Sequence, residues 1–172
     1  GIERSVNESL SSLGVNTFDI TSKVNRGGST QGVAQKVYPP LKLNEALRFI
    51  DQYRVPATLC LSANLSWNAE IKHLSVKTNP NVAITGANEE YLAIKGLELQ
   101  QGRGLSTIEV EYGSHVAIIG HKIYKTLFKD NEEVIGNKIS FVGTQFKVIG
   151  VIEEKGQLQE DNYDNMVIIP IR

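Results

Sequence analysis

The residues of this chain whose types could carry chemistry are three histidines, one cysteine, a serine–histidine pair and a group of carboxylates. His73, His115 and His121 could each ligate a metal or move a proton. No two of them stand at i, i+4 on an expected helix, and there is no His-Glu-x-x-His or paired-cysteine spacing. Each is therefore expected in a polar or capping role. Ser114 directly precedes His115, but neighbours on a strand point to opposite faces, so their side chains are not expected to meet. The surrounding residues also lack the Gly-x-Ser-x-Gly elbow that exposes a nucleophile. Cys60 is the sole cysteine, which leaves no internal disulfide and no multi-cysteine metal set. Glu153, Glu154, Glu160, Asp161 and Asp164 lack the alternating acidic residues and glycine of a calcium loop and read as a solvated acidic loop.

Two glycine-containing stretches invite a phosphate reading. Asn25-Arg26-Gly27-Gly28-Ser29-Thr30-Gln31-Gly32 lacks the Gly-x-x-x-x-Gly-Lys-Ser/Thr spacing that aims backbone N–H groups at a phosphate, so a plain loop is expected. Gly120-His121-Lys122 follows an apolar strand and opens a helix, yet one glycine does not supply the several converging N–H groups an anion needs. A structural turn is the expectation. The motifs thus yield no catalytic, cofactor-binding or metal residues, and a free-standing enzyme is an open reading that none of them supports.

Composition narrows the partners. The 172 residues carry 18 Lys and Arg against 19 Asp and Glu, a formal net charge of −1. That balance lacks the basic footprint of a nucleic-acid binder and of a polybasic membrane-surface binder. The longest apolar runs, Val116–Ile119 and Met166–Ile169, fall far short of the roughly 20 residues a bilayer requires. The chain starts at Gly1 without an initiator methionine, so an excised piece or a processed chain is expected.

The elements that must position these residues follow from periodicity. Ile2, Val6, Leu10 and Leu13 recur at helical spacing before Gly14. From Thr17 to Val24 the period is two, as in a half-buried strand. Leu43, Ala46, Leu47, Ile50 and Tyr53 predict an amphipathic helix, closed before Pro56. Ala57, Leu59, Leu61, Ala63, Leu65 and Trp67 then alternate with polar residues, completing a strand–helix–strand unit.

Beyond Trp67 the texture changes to short strands and turns. Strands are expected at Ile71–Lys77, Val82–Gly86, His115–Ile119, Lys138–Val142, Gln145–Ile152 and Met166–Ile171, with turns at Asn79-Pro80-Asn81 and Gly143-Thr144. Short helices are expected near Glu89–Lys95, capped by Asn88, and near His121–Lys129, with Ile123, Tyr124, Leu127 and Phe128 inward. The fold class is α+β.

Several stretches, in order, resemble one family. Leu13-Gly14-Val15-Asn16-Thr17, the Gly86–Tyr91 turn, Gly102-Arg103, Val116–Gly120 with Leu127-Phe128, Ile135-Gly136-Asn137-Lys138-Ile139, Phe146–Val151 and Val167–Pro170 are similar to segments of the extracytoplasmic core domain of MacB/FtsX-type ABC transporter permeases. Each is weak alone; their order and spacing along nearly the whole chain carry the resemblance.

The resemblance implies a periplasmic domain inserted between the first and second of four membrane helices of an inner-membrane protein. Residues 1–67 would form an incomplete Porter-like β-α-β part, residues 68–165 a β-rich Sabre-like lobe, and residues 166–172 a strand returning towards the Porter-like part. A further strand–helix–strand unit usual in the family would lie beyond Arg172, so a shortened piece or a divergent member is expected. The implied function is to transmit ATP-driven movement to export of an antibiotic, peptide or lipoprotein, by mechanotransmission rather than catalysis. Implied partners are the parent membrane helices and nucleotide-binding domain, a second copy of the permease, and a periplasmic adaptor with an outer-membrane channel. ATPase activity would reside elsewhere in the parent transporter. The alternative is an FtsX-like scaffold or sensor that binds a partner such as a cell-wall hydrolase. No cofactor, metal or nucleic acid is implied.

Overall fold

The computed structural model describes residue 20 and residues 39–54, 56–155 and 162–172. The chain divides into two units, Gly1–Val55 and Pro56–Arg172. In the first, α1 (Leu43–Gln52) forms where expected; the Lys42 N–H donates to the Glu45 carboxylate, and Ala46 is its buried residue. The expected helix at 2–13, most of the strand at 17–24 and the glycine-rich loop at 25–32 lie outside the described residues.

The second unit is built from β1 (Ser62–Ala69), β2 (Lys72–His73), β3 (Val76–Lys77), β4 (Val82–Ala87), α2 (Tyr91–Ile94), β5 (Leu99–Gly102), α3 (Thr107–Tyr112), β6 (Val116–Ile119), α4 (His121–Leu127), β7 (Lys138–Phe141), β8 (Thr144–Ile152), a 3-10 turn (Tyr163–Asn165) and β9 (Met166–Pro170). The described strands join one sheet in the order β1-β4-β9-β6-β8-β7-β2-β3, and β5 also pairs with β8. Pairing is mixed: β4–β9 and β6–β8 are parallel, while β9–β6, β1–β4 and β7–β8 are antiparallel. The α+β expectation holds.

The core explains this order. All four residues of β6 are buried, so both faces of the sheet are covered there. Alternation sends Ala117, Ile119 and Val167 to one cluster, completed by Ile123, Leu127 and Phe128 from α4 and the residue after it. It sends Val116, Ile118, Met166 and Ile168 to the other, under Tyr91, Leu97, Leu105 and Tyr163. Ile123 and Leu127 are 0% and 2% exposed, and full burial of such a side chain contributes about 1.5–3 kcal/mol.

Three expectations are corrected by the geometry. The run 71–77 is not one strand but the β2–β3 hairpin, because Leu74 takes φ +52 and turns the chain after His73. The alternation at 57–67 does not give a buried apolar face. β1 begins at Ser62, irregular pairing interrupts its register with β4, and Leu65 and Trp67 are exposed. Its ladder to β4 also places it in the second unit's sheet. Asn88 does not cap α2 with its side chain, which instead donates to the Leu59 carbonyl. Two further elements, β5 and α3, arise where no element was expected.

Two backbone crossings fix these parts. Gly102 adopts φ +76, and a Cβ there would overlap the Ile149 carbonyl oxygen, so β5 reaches β8 only through glycine. Gly120 donates its N–H to the Met166 carbonyl, and a Cβ would strike the Tyr163 and Asp164 carbonyl oxygens.

Short α3 has no fully buried residue, so polar contacts at its ends secure it. Ser106 Oγ accepts from the Glu109 N–H, and the Glu109 carboxylate accepts from the Ser106 N–H at 3.0 Å, a reciprocal capping box. Arg103 forks onto the same carboxylate with Nη2···Oε1 2.7 Å and Nη1···Oε2 2.9 Å. At the other end Gly113 closes the helix in the left-handed conformation, and the Arg172 guanidinium donates to the Glu111 carbonyl. The Arg103 fork, seconded by the Ser106 donors, lowers the Glu109 carboxyl from 4.5 to about 2.

Gly120→Ala is expected to cost about 2–3 kcal/mol in urea unfolding, because the obstructing atoms are backbone and cannot rotate away. Glu109 has a depressed folded-state pKa, so its stabilisation is present above the unfolded value and is lost as pH falls towards about 2. Discounted for the half-exposed Arg103, that loss should amount to about 1–2 kcal/mol between pH 6 and pH 2. Urea titrations at both pH values should show the loss in wild type and a flatter dependence in Glu109→Gln.

Candidate functional site

The structure disperses the residues whose types suggested chemistry. His73 is buried between the β2–β3 hairpin and the loop after α4. Its ring stacks on Phe128 with centroids 4.3 Å apart, and both ring nitrogens are hydrogen-bonded. His121 opens α4, with Nδ1 2.8 Å from Gln100 Oε1 and Nε2 3.8 Å from Glu154. The His115 ring lies 5.2 Å from that of Phe146, while the Ser114 N–H closes α3 onto the Glu109 carbonyl. Cys60 packs beside the second core cluster.

The acidic set does not converge either. Glu153 donates its N–H to the Glu98 carbonyl, and Asp164 accepts from the Lys155 N–H. Glu160 and Asp161 lie outside the described residues. Among the described residues no three His, Cys, Asp or Glu side chains gather to hold a metal.

The turn at Gly120 has a positive structural cause. The Tyr163 and Asp164 carbonyl oxygens crowd the glycine at the start of α4, where an anion would have to approach. Carbonyl oxygens repel an anion, and the Gly120 N–H is already committed to Met166.

Several of the side chains that the fold presents outward are apolar. On α3, Ile108 and Tyr112 stand one turn apart, 67% and 77% exposed, on a helix held rigid by the Arg103–Glu109 fork. A shallow groove of about 540 Å³ is lined by Leu65, Ile84, Ile169 and the Phe141–Gly143 turn, with Glu70 and Lys72 among its polar residues. At the β7–β8 tip, Val142 is 95% exposed at φ +50, a conformation costly for a β-branched residue. Such surfaces suit non-covalent docking.

Sequence reading missed these surfaces because an exposed Ile, Leu or Val has the same residue type as a core one. One signal was available: Ser106-Thr107-Ile108-Glu109 is a capping-box spacing that announces α3.

Comparison with known proteins gives this geometry a family. The macrolide export ATP-binding/permease protein MacB of Campylobacter jejuni is 24% identical over 156 residues, covering 90% of this chain. The chain spans 23% of that protein's length. The periplasmic region of MacB from Actinobacillus actinomycetemcomitans superposes with a TM-score of 0.58 at 19% identity, covering 74% of this chain and 54% of that one. The extracellular domain of the ABC-type transporter YknZ from Gram-positive bacteria gives 0.59 at 21%, covering 73% and 60%. At these identities the superpositions establish fold alone. The family model described as MacB-like periplasmic core domain matches residues 1–172, and the chain belongs to that family of periplasmic domains.

Proposed function

We propose that this domain works as the outboard arm of an exporter, moved by ATP hydrolysis in another part of the transporter rather than reacting with a substrate itself. The observation that carries the reading is the family match along residues 1–172. The sheet supports it mechanically: β6 and β9 are clamped from both faces, so a displacement is passed on rather than absorbed. In this reading residues 68–165 are the Sabre-like lobe and residues 1–67 belong to the Porter-like part. The lobe's β4 then lies between β1, which starts in that part and runs into the lobe, and the returning β9.

The MacB relative is named for macrolide export, and a small drug, a peptide or a lipoprotein are cargo classes for this arm. Its partners would be the parent membrane helices, the ATP-binding domain, a second permease copy, and an adaptor leading to an outer-membrane channel. The groove beside Leu65 and the exposed pair Ile108 and Tyr112 also favour a second reading, a scaffold that docks a periplasmic partner protein.

One insertion tests the arm. In the full permease, one extra residue before Gly14 should leave ATP hydrolysis near wild type while export falls at least tenfold, measured in reconstituted vesicles or by drug tolerance in cells. Export at the wild-type level in that variant would remove the mechanical reading. Loss of a partner protein's activity, with no change in export, would favour the scaffold.

A further inference from the structure

α3 is too short to hold itself. Isolated helices below about 12 residues are marginal in water, because nucleation costs more than a few hydrogen bonds return. A helix of 6 residues therefore forms and opens as one unit. Its hold on the core is slight: Val110 packs half-buried against the second cluster, and buried Leu105 precedes the helix. The other ties are polar, lie at its two ends, and lead to different strands.

At the start, the Arg103 guanidinium forks onto Glu109. The Arg103 N–H donates to the Ile149 carbonyl at 2.9 Å, which roots this tie on β8 where β5 ends. At the finish, the Arg172 guanidinium donates to the Glu111 carbonyl, one of those a helix leaves without an internal partner at its C-terminus. A cation there also complements the helix dipole. The approach is close, since a Cβ on Gly113 would lie 3.3 Å from Arg172 Cβ. Arg172 itself stands just past the end of β9 at Pro170. Between them, buried Ile171 donates its N–H to the Ala87 carbonyl at 3.0 Å and packs beside Gly86.

We propose that α3 is a strut between the end of β5 and the end of β9, through which the position of the chain at Arg172 sets how firmly Ile108 and Tyr112 are presented. When Arg172 is drawn away from Glu111, the last turn loses its cap. Because the helix opens as a unit, the loss reaches the first turn, and the apolar pair loses its one-turn spacing. The coupling is reciprocal: a partner that grips Ile108 and Tyr112 in helical register favours the arrangement in which Arg172 stays docked. It lies inside this domain and holds whatever moves the chain at Arg172.

Hydrogen exchange of the 172-residue chain, followed by NMR, reads both ends of the strut. The Val110 N–H, bonded to the Ser106 carbonyl, reports the first turn; the Gly113 and Ser114 N–H groups, bonded to the Val110 and Glu109 carbonyls, report the last. Arg172→Met keeps the aliphatic stem and removes the donors. It should speed exchange about fivefold at Val110 as well as at Gly113 and Ser114, with the amides of the β6–β8 ladder unchanged. Arg103→Met should do the same from the other end. In both variants the nuclear Overhauser contact between Ile108 and Tyr112 should weaken. Acceleration confined to Gly113 and Ser114 in Arg172→Met, or to Val110 in Arg103→Met, would overturn the strut and leave two independent caps. Wild-type exchange at all three amides in Arg172→Met would overturn it as well.

Discussion

Burial of β6 on both faces, and of β9 at every residue but Ile169, is the constraint on which the rest of the architecture depends. A strand that shows no side chain to water needs a cover above and below, and two short helices, a 3-10 turn and several loops supply it. Space for that cover is scarce. Where Gly120 passes beneath Tyr163 and Asp164, and where Gly102 meets β8, backbone touches backbone with no room for a side chain. Gly102 and Gly120 are thus part of the packing.

A second design rule operates at the periphery. α3 gains little from the core and is instead fastened by a guanidinium fork, a capping box and a left-handed glycine. The β2–β3 hairpin is fastened at its base by buried Ile71, hydrogen-bonded to Thr78, by one bridge to β7 and by His73. Both carry exposed apolar side chains, and both are secured in part by directional polar bonds. The interior gives the domain stiffness; the polar fastenings set how firmly its outward features are held.

Much of this was legible in the sequence, and the failures have physical causes. β4, β6, β8 and β9 were found because continuous apolar runs bounded by turn residues leave few alternatives. α4 was found from Ile123, Leu127 and Phe128. β1 misled because alternation reports what a strand could bury, and register shifts against β4 turned Leu65 and Trp67 outward. α3 was overlooked because Ile108 and Tyr112 face water and give no amphipathic stripe, although Ser106 and Glu109 marked its start. His73 was assigned a polar role without its partners, since Glu132 and Lys138 are 59 and 65 positions away and only the folded chain brings them together. The docking surfaces were illegible for a related reason: exposure is a property of the assembled sheet.

The position of β9 has a consequence for how the domain comes into being. It is the last strand in chain order, yet it lies in the interior of the sheet, between β4 and β6. A polypeptide delivered N-terminus first therefore cannot complete its hydrogen-bond ladder while residues 166–170 are still in transit. Until it arrives, the edges of β4 and β6 that face it have no partner in this ladder. β9 thereby acts as a keystone, joining β4 to β6 only once it is in place.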